Sequence, residues 1–128
     1  MSQNKNGVRK LNDELYYSFQ GMCREFLKDD GRKIVDDVIR TLTKFKIFNK
    51  VSSIVGEEQT RKHAYLLSDW GKELIPKDKY VYDKNRRYYF DRETSHKLIK
   101  IYTRYKKEDT PFNKWRNIVI EELNCKDV

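Results

Sequence analysis

Apolar positions that recur three and four residues apart predict two helices near the N-terminus. The first covers about residues 12–28, with Asn12 as its cap and Asp29-Asp30-Gly31 as its end. Its apolar stripe consists of Leu15, Phe19, Met22, Cys23, Phe26 and Leu27. The second covers about residues 32–47, and its stripe consists of Ile34, Val35, Val38, Leu42 and Phe45. Residues 1–10 are polar and basic, and we expect a flexible arm there.

Two β-hairpins are predicted after these helices. The first pairs 51–55 with 62–67 around a polar tip, and Ser68 then caps a short helix that ends before Pro76. The second pairs 80–82 with 87–90 around a two-residue turn at Lys84-Asn85. That turn would place Tyr80 opposite Tyr89 and Tyr82 opposite Arg87.

Two further helices are predicted at the C-terminal end. Asp91 is a suitable cap for a helix over 92–107, and Thr110-Pro111 is a start signal for one running to about 124. The sequence therefore predicts an α+β fold in the order α-α-β-β-α and then β-β-α-α. We expect one unit over 11–76 and a basic hairpin-plus-helices unit over 77–128 that packs on it.

Charge changes this picture by indicating a partner. The chain has 128 residues and a net charge of +8, and residues 77–107 hold 11 basic against 4 acidic groups. A local excess of this size attracts phosphate, and nucleic acid is the commonest acidic partner. No apolar run is long enough for a membrane span, and the polar N-terminus does not resemble a secretory signal. Two distant cysteines fit a reducing cytoplasm, where we expect the protein to act.

Residues with catalytic potential are sparse. His63 and His96 have no cysteine or carboxylate at ligand spacing, and no phosphate-binding glycine loop occurs. Asp29-Asp30 and Asp36-Asp37 fit a helix end and a solvated face better than a metal pair. We therefore expect no enzyme activity, no metal and no cofactor, and Cys23 to fill the core.

One stretch resembles a known family. Residues 38–48 end a helix in the pattern Leu-x-x-x-x-hydrophobic, a hairpin follows, and Arg61-Lys62-His63-Ala64-Tyr65-Leu66-Leu67-Ser68 leads into a helix containing Gly71. This pattern resembles the back half of a winged-helix DNA-binding domain over about residues 32–75, with Ser68 at the family's capping threonine. The family places three helices before its wing, whereas two are predicted here. A second winged-helix-like lobe after residue 76 would be similar to small accessory DNA-binding proteins of conjugative plasmids in Gram-positive bacteria.

Candidate DNA-binding residues follow from these positions. A helix over 32–47 can enter the major groove, the wing can lie over a phosphate or the minor groove, and a basic ridge on the 92–107 helix can follow the phosphate backbone. This ridge consists of Lys97, Lys100, Arg104 and Lys107. The complete candidate set is Arg32, Lys33, Arg40, Thr41, Lys44, Arg61, Lys62, Arg86, Arg87, Lys97, Lys100 and Arg104.

The favoured function is a non-enzymatic double-stranded DNA-binding regulator or accessory factor. Its role would be transcription control, plasmid replication or conjugative transfer, with palindromic sites if the chain forms a homodimer. The scarcity of alanine, with Ala64 alone, indicates an AT-rich genome such as a low-GC bacterium or its mobile element. Two alternatives stay open. One is an RNA or single-strand binder that stacks bases on the tyrosine hairpin beside Arg86 and Arg87. The other is a phage or mobile-element protein that inhibits a host protein.

Overall fold

The computed structural model describes residues 7–11, 13–55, 60–82 and 87–124, with the backbone alone for 51–55 and 60–64. Within these ranges the fold is a mixture of helices and antiparallel strands, which confirms the predicted α+β class. Short 3-10 turns lie at Lys77–Lys79 and Phe112–Lys114. The elements are β1 (Val8–Leu11), β2 (Glu14–Tyr17), α1 (Phe19–Leu27), α2 (Arg32–Lys44), β3 (Phe48–Val55), β4 (Thr60–Leu67), α3 (Asp69–Leu74), β5 (Tyr80–Tyr82), β6 (Tyr88–Asp91), α4 (Arg92–Lys107) and α5 (Trp115–Asn124).

The N-terminal segment differs from its prediction. A β-hairpin of β1 and β2 occupies residues 8–17, so the helix predicted from residue 12 is wrong before Phe19. The helix begins where Ser18 can cap it, because the Ser18 hydroxyl accepts a hydrogen bond from the Gly21 amide at 3.1 Å. Leu15 fits the helical spacing but is 44% exposed in β2. The flexible arm is likewise wrong for residues 8–10, and residues 1–6 and Asn12 lie outside the described residues.

A four-stranded antiparallel sheet has the order β1-β2-β6-β5. Tyr17 pairs with Phe90, and Phe90 pairs with Tyr80 on its other side. The predicted register of the second hairpin is therefore wrong by one residue, since Tyr82 lies opposite Tyr88 and the connection is longer than two residues. The proposed turn at Lys84-Asn85 lies outside the described residues. The sheet joins strands from both sides of the boundary expected after residue 76.

The middle of the chain has the predicted order of helix, hairpin and short helix, but α2 ends three residues before its predicted end at 47 and β3 begins at Phe48. Helix α2 ends at Lys44, and Lys46, which has a positive φ of 69°, leads the chain into the β3–β4 hairpin. Ser68 caps α3 by accepting from the Gly71 amide at 2.9 Å, and Asp91 caps α4 by accepting from the Thr94 amide at 2.9 Å. At the C-terminal end the predicted side-chain cap at Thr110 is wrong. A 3-10 turn that starts after Pro111 leads into α5 instead, without a side-chain cap.

One hydrophobic cluster connects these elements. Helix α4 packs against α1, α2 and α5, and this four-helix group lies beside the sheet. Met22, Val38 and Ile101 are fully buried in this group, one from each of α1, α2 and α4. Cys23 is fully buried beside them, which confirms its expected role as a core residue. This packing fixes which face of α2 points outward.

Candidate nucleic-acid interface

The outward face of α2 is strongly basic. Lys33, Arg40 and Lys44 are exposed, as predicted, and Arg32 is almost fully exposed at the start of the helix. Thr41, predicted to face DNA, is instead buried at 4% exposure. The reason is its position, because one residue advances the helix by 100° and turns Thr41 from the outward face toward the core.

Most of the cations on this face have no carboxylate partner. Arg32 lies 4.0 Å from Asp36, at the limit of an ion pair, whereas Lys33 and Arg40 have no carboxylate within 4.0 Å among the described residues. Lys44 donates a hydrogen bond to the Tyr105 hydroxyl at 2.7 Å, which fixes its position without neutralising it. The face therefore keeps a net positive charge that a phosphate could use.

Asp37, the second acidic residue of α2, is directed at α4. Its Oδ2 accepts from the Tyr102 hydroxyl at 2.7 Å and lies 2.9 Å from Lys106 Nζ. The hydrogen bond from Tyr102, and then that from Lys106, lowers the pKa of Asp37, and Arg40 adds a smaller effect in the same direction. The negative charge of Asp37 is thus compensated within the helix pair and does not cancel the outward cations.

The predicted ridge on α4 has a different environment. Lys97 is only 9% exposed, its Nζ lies 3.2 Å from Glu93, and it donates to the Leu123 carbonyl at 3.4 Å. The prediction that Lys97 lies on an exposed ridge is wrong, because its side chain is buried where α4 meets α5. Lys100 lies 3.7 Å from Glu122 on α5, and Arg104 pairs with Glu108 at 2.8 Å and with Glu122 at 3.2 Å.

The ion pairs of Lys100 and Arg104 with carboxylates reduce the positive charge that the ridge offers to a phosphate. Since Glu122 belongs to another helix, the four-residue spacing on α4 gave no sign that it would neutralise the ridge. Lys107 stays exposed at the C-terminal end of α4. The described part of the ridge is therefore largely an internal ion-pair network and not a continuous row of free cations.

The wing candidates can be located only by backbone. Arg61 lies opposite Ile54 and Lys62 opposite Ser53 in the β3–β4 hairpin, and their side chains lie outside the description. Arg87 is exposed just before β6, and Arg86 lies outside the described residues.

The tyrosine hairpin is mainly core. Tyr88 and Tyr89 are buried, and the Tyr88 hydroxyl accepts a hydrogen bond from the Leu67 amide at 3.0 Å. Burial, as the largest cause, raises the pKa of Tyr88. Tyr80 is half-buried and only Tyr82 of the four is exposed. The stacking surface that a single-strand binder would need on this hairpin is thus reduced to one ring.

An aromatic cluster at the C-terminal end of α2 was missed by the sequence analysis. Phe45 lies between Phe112 and Trp115, with ring centroids 5.7 Å and 5.1 Å apart and planes about parallel. Tyr105 meets Phe45 edge-on at 5.1 Å. Phe112 is 53% exposed, whereas Trp115 is buried. A signal was present in the aromatic pair that follows Pro111, although its contact with α2 depends on the tertiary fold.

Other chemistry is sparse in the described part of the chain. No group of three His, Cys, Asp or Glu side chains there is arranged to hold a metal ion. His96 is exposed and stacks on Phe26 at 4.6 Å, and the side chain of His63 lies outside the description. None of the helices in these residues has the length and apolar character needed to cross a membrane.

Comparison with protein-family models, with curated proteins and with solved structures finds no match to this chain.

Proposed function

We propose that this protein is a non-enzymatic binder of double-stranded DNA, acting as a regulator or accessory factor through the outward face of α2. The observation that carries the proposal is the charge of that face. Arg32, Lys33, Arg40 and Lys44 point outward with Asp36 as the exposed carboxylate among them. A helix presenting arginine and lysine in this way suits the major groove, where these side chains contact guanine and phosphate.

The order of elements supports the same proposal. A helix pair α1–α2, the hairpin β3–β4 and a capped helix α3 follow one another as the winged-helix resemblance implies. The family's third helix has no counterpart before α1, but α4 packs against both α1 and α2. In this proposal α4 supplies the missing support from a later point in the chain, and α2 serves as the recognition helix.

The burial pattern of α2 is consistent with a recognition helix. Val38 and Leu42 anchor one side of the helix in the core, and the Tyr102–Asp37 hydrogen bond fixes its rotation against α4. A rigidly held helix loses little conformational entropy when it binds, which favours affinity.

A titration against salt tests the proposal. We would measure binding of a fluorescently labelled, mixed-sequence duplex by anisotropy at several salt concentrations. In the double variant Lys33→Gln/Arg40→Gln, the slope of log K against log salt should be about 2 units less steep, because each lost phosphate contact removes about 0.9. Circular dichroism checks that both proteins are folded.

A matched double variant provides the control. Lys10 on β1 and Lys77 in the 3-10 turn before β5 are also exposed lysines, and neither belongs to α2. Lys10→Gln/Lys77→Gln removes the same charge, so the slope should stay close to that of the wild type. The proposal is wrong if the wild type does not bind duplex at low salt, or if the two double variants change the slope equally. Capture of a host protein without binding to any nucleic acid would favour the inhibitor alternative.

A further inference from the structure

A groove of about 160 Å³ lies beside the aromatic cluster at the C-terminal end of α2. It is lined by Phe45, Trp70, Phe112 and Trp115, together with Lys46 and Arg116. We infer that this groove binds an unpaired base of single-stranded DNA, with the adjoining phosphate at Lys46 and Arg116. The inference rests on the proposed function, because it extends the DNA path from the α2 face.

The aromatic lining suits a flat ring. Phe112 exposes about half of its surface although it belongs to a stacked series with Phe45 and Trp115. Also in the lining, the Arg116 guanidinium lies over the Trp70 ring at 4.6 Å. Nucleic-acid bases stack on aromatic rings and on guanidinium planes, and this stacking tolerates any base.

The charge of the lining suits a phosphate. No aspartate or glutamate is among the residues that line the groove. Lys46 and Arg116 have no carboxylate within 4.0 Å among the residues that the structure describes. An acidic ligand would therefore meet two available cations, as single-strand grooves require.

The size and position of the groove favour one base over a larger ligand. Small-molecule sites usually enclose about 300 Å³ or more, so this groove fits one ring system and leaves the rest of the ligand outside. Lys44 connects the groove to the α2 face, since its Nζ lies 5.6 Å from the centre of the Phe112 ring. A strand leaving a duplex on α2 would meet the groove next.

The two tryptophans of the chain, Trp70 and Trp115, both line this groove, so intrinsic fluorescence reports on it directly. A single-stranded oligo-dT should quench this fluorescence, whereas a blunt-ended duplex should bind with little quenching. In Phe112→Ala, the affinity for oligo-dT should fall about tenfold, the size expected for one stacked base, while duplex affinity stays within about twofold.

Tyr82→Ala is the matched control, because Tyr82 is also an exposed aromatic residue but lies on β5 of the sheet. It should leave both affinities unchanged. Lys46→Gln/Arg116→Gln should weaken oligo-dT binding and make it less dependent on salt. Duplex binding without any oligo-dT quenching would overturn this inference and leave the proposed function intact. Quenching by an acidic aromatic peptide but not by oligo-dT would also overturn it. If the wild-type protein bound neither duplex nor oligo-dT, this inference and the proposed function would both be wrong.

Discussion

Tyr102 of α4 donates a hydrogen bond to Asp37 of α2, with 2.7 Å between the Tyr102 hydroxyl oxygen and Asp37 Oδ2. Tyr102 is buried, and desolvation followed by this hydrogen bond raises the pKa of its hydroxyl. Lys106 approaches the same carboxylate. The contact joins the proposed recognition helix to its support, so it determines how the basic face is presented.

Removing this hydrogen bond should destabilise the protein. In Tyr102→Phe, we expect the free energy of unfolding in urea at neutral pH to fall by about 1–2 kcal/mol, since a hydrogen bond to a charged acceptor is lost. Tyr105→Phe is the control, because it deletes another tyrosine hydroxyl of α4. That hydroxyl accepts a hydrogen bond from the exposed Lys44. Its cost should stay under about 1 kcal/mol. Equal costs for the two variants would contradict the role given to Tyr102.

The same contact should make stability depend on pH. The folded-state pKa of Asp37 is lowered, chiefly by the Tyr102 hydrogen bond, so its stabilisation is present above the unfolded pKa of about 3.9 and is lost as pH falls through the folded value. The difference in unfolding free energy between wild type and Tyr102→Phe should therefore shrink as pH drops below about 4. Urea unfolding at stepped pH values measures this, and a difference that stays constant would speak against the assignment.

Gly71 is required by a close backbone approach. Gly71 lies in α3, and a Cβ there would lie closer than 3.0 Å to the carbonyl oxygen of Ile47, which follows α2. Gly71→Ala should lower the unfolding free energy by about 1–3 kcal/mol, because backbone atoms would have to move. At Gly31, the N-cap of α2, the nearest atom to such a Cβ is the side-chain Asp29 Oδ1 at 3.3 Å, so Gly31→Ala should cost about 1 kcal/mol or less through the weaker cap alone. A thermal or urea melt compares them, and equal effects would refute the packing argument.

Cys23 should be an unreactive thiol in the folded protein. Burial, with smaller effects from Asp29 and Asp30, raises its pKa to about 12, so almost no thiolate forms at neutral pH. In Cys125→Ser, where Cys23 is the remaining cysteine, labelling by a thiol reagent should be slow and should become fast in denaturant. Rapid labelling of the folded protein would show that α1 opens far more readily than its packing implies.

Local signals explain which elements the sequence predicts well. Helix α4 has a capping residue at Asp91 and a regular apolar stripe, so its bounds of 92–107 agree with the prediction. The β1–β2 hairpin was missed because Leu15 happens to continue the spacing of Phe19 and Met22, although its strand leaves it exposed. The register of β5 and β6 depends on the length of their connection, which residue types alone did not determine.

In the candidate site, too, the features set by local sequence were predicted and those set by contacts between distant elements were not. The outward positions of Lys33, Arg40 and Lys44 follow from helical periodicity within α2. Lys100 pairs with Glu122 from α5, a contact between distant parts of the chain, whereas Arg104 pairs with Glu122 and also with the nearby Glu108. The partner of Lys97 at Glu93 was within reach of sequence reasoning, because a spacing of four residues places the two side chains on one face of the helix.

This division leads to a prediction about which cations contact DNA. Lys100 and Arg104 are engaged with Glu122, so replacing them should remove few phosphate contacts. In Lys100→Gln/Arg104→Gln, the slope of log K against log salt for a duplex should change by less than about 0.5, against about 2 for Lys33→Gln/Arg40→Gln. Both variants lose two positive charges, so they differ in location and not in net charge. If the α4 variant flattened the slope as much as the α2 variant, the ion pairs would have to open on binding, and the ridge would belong to the interface after all.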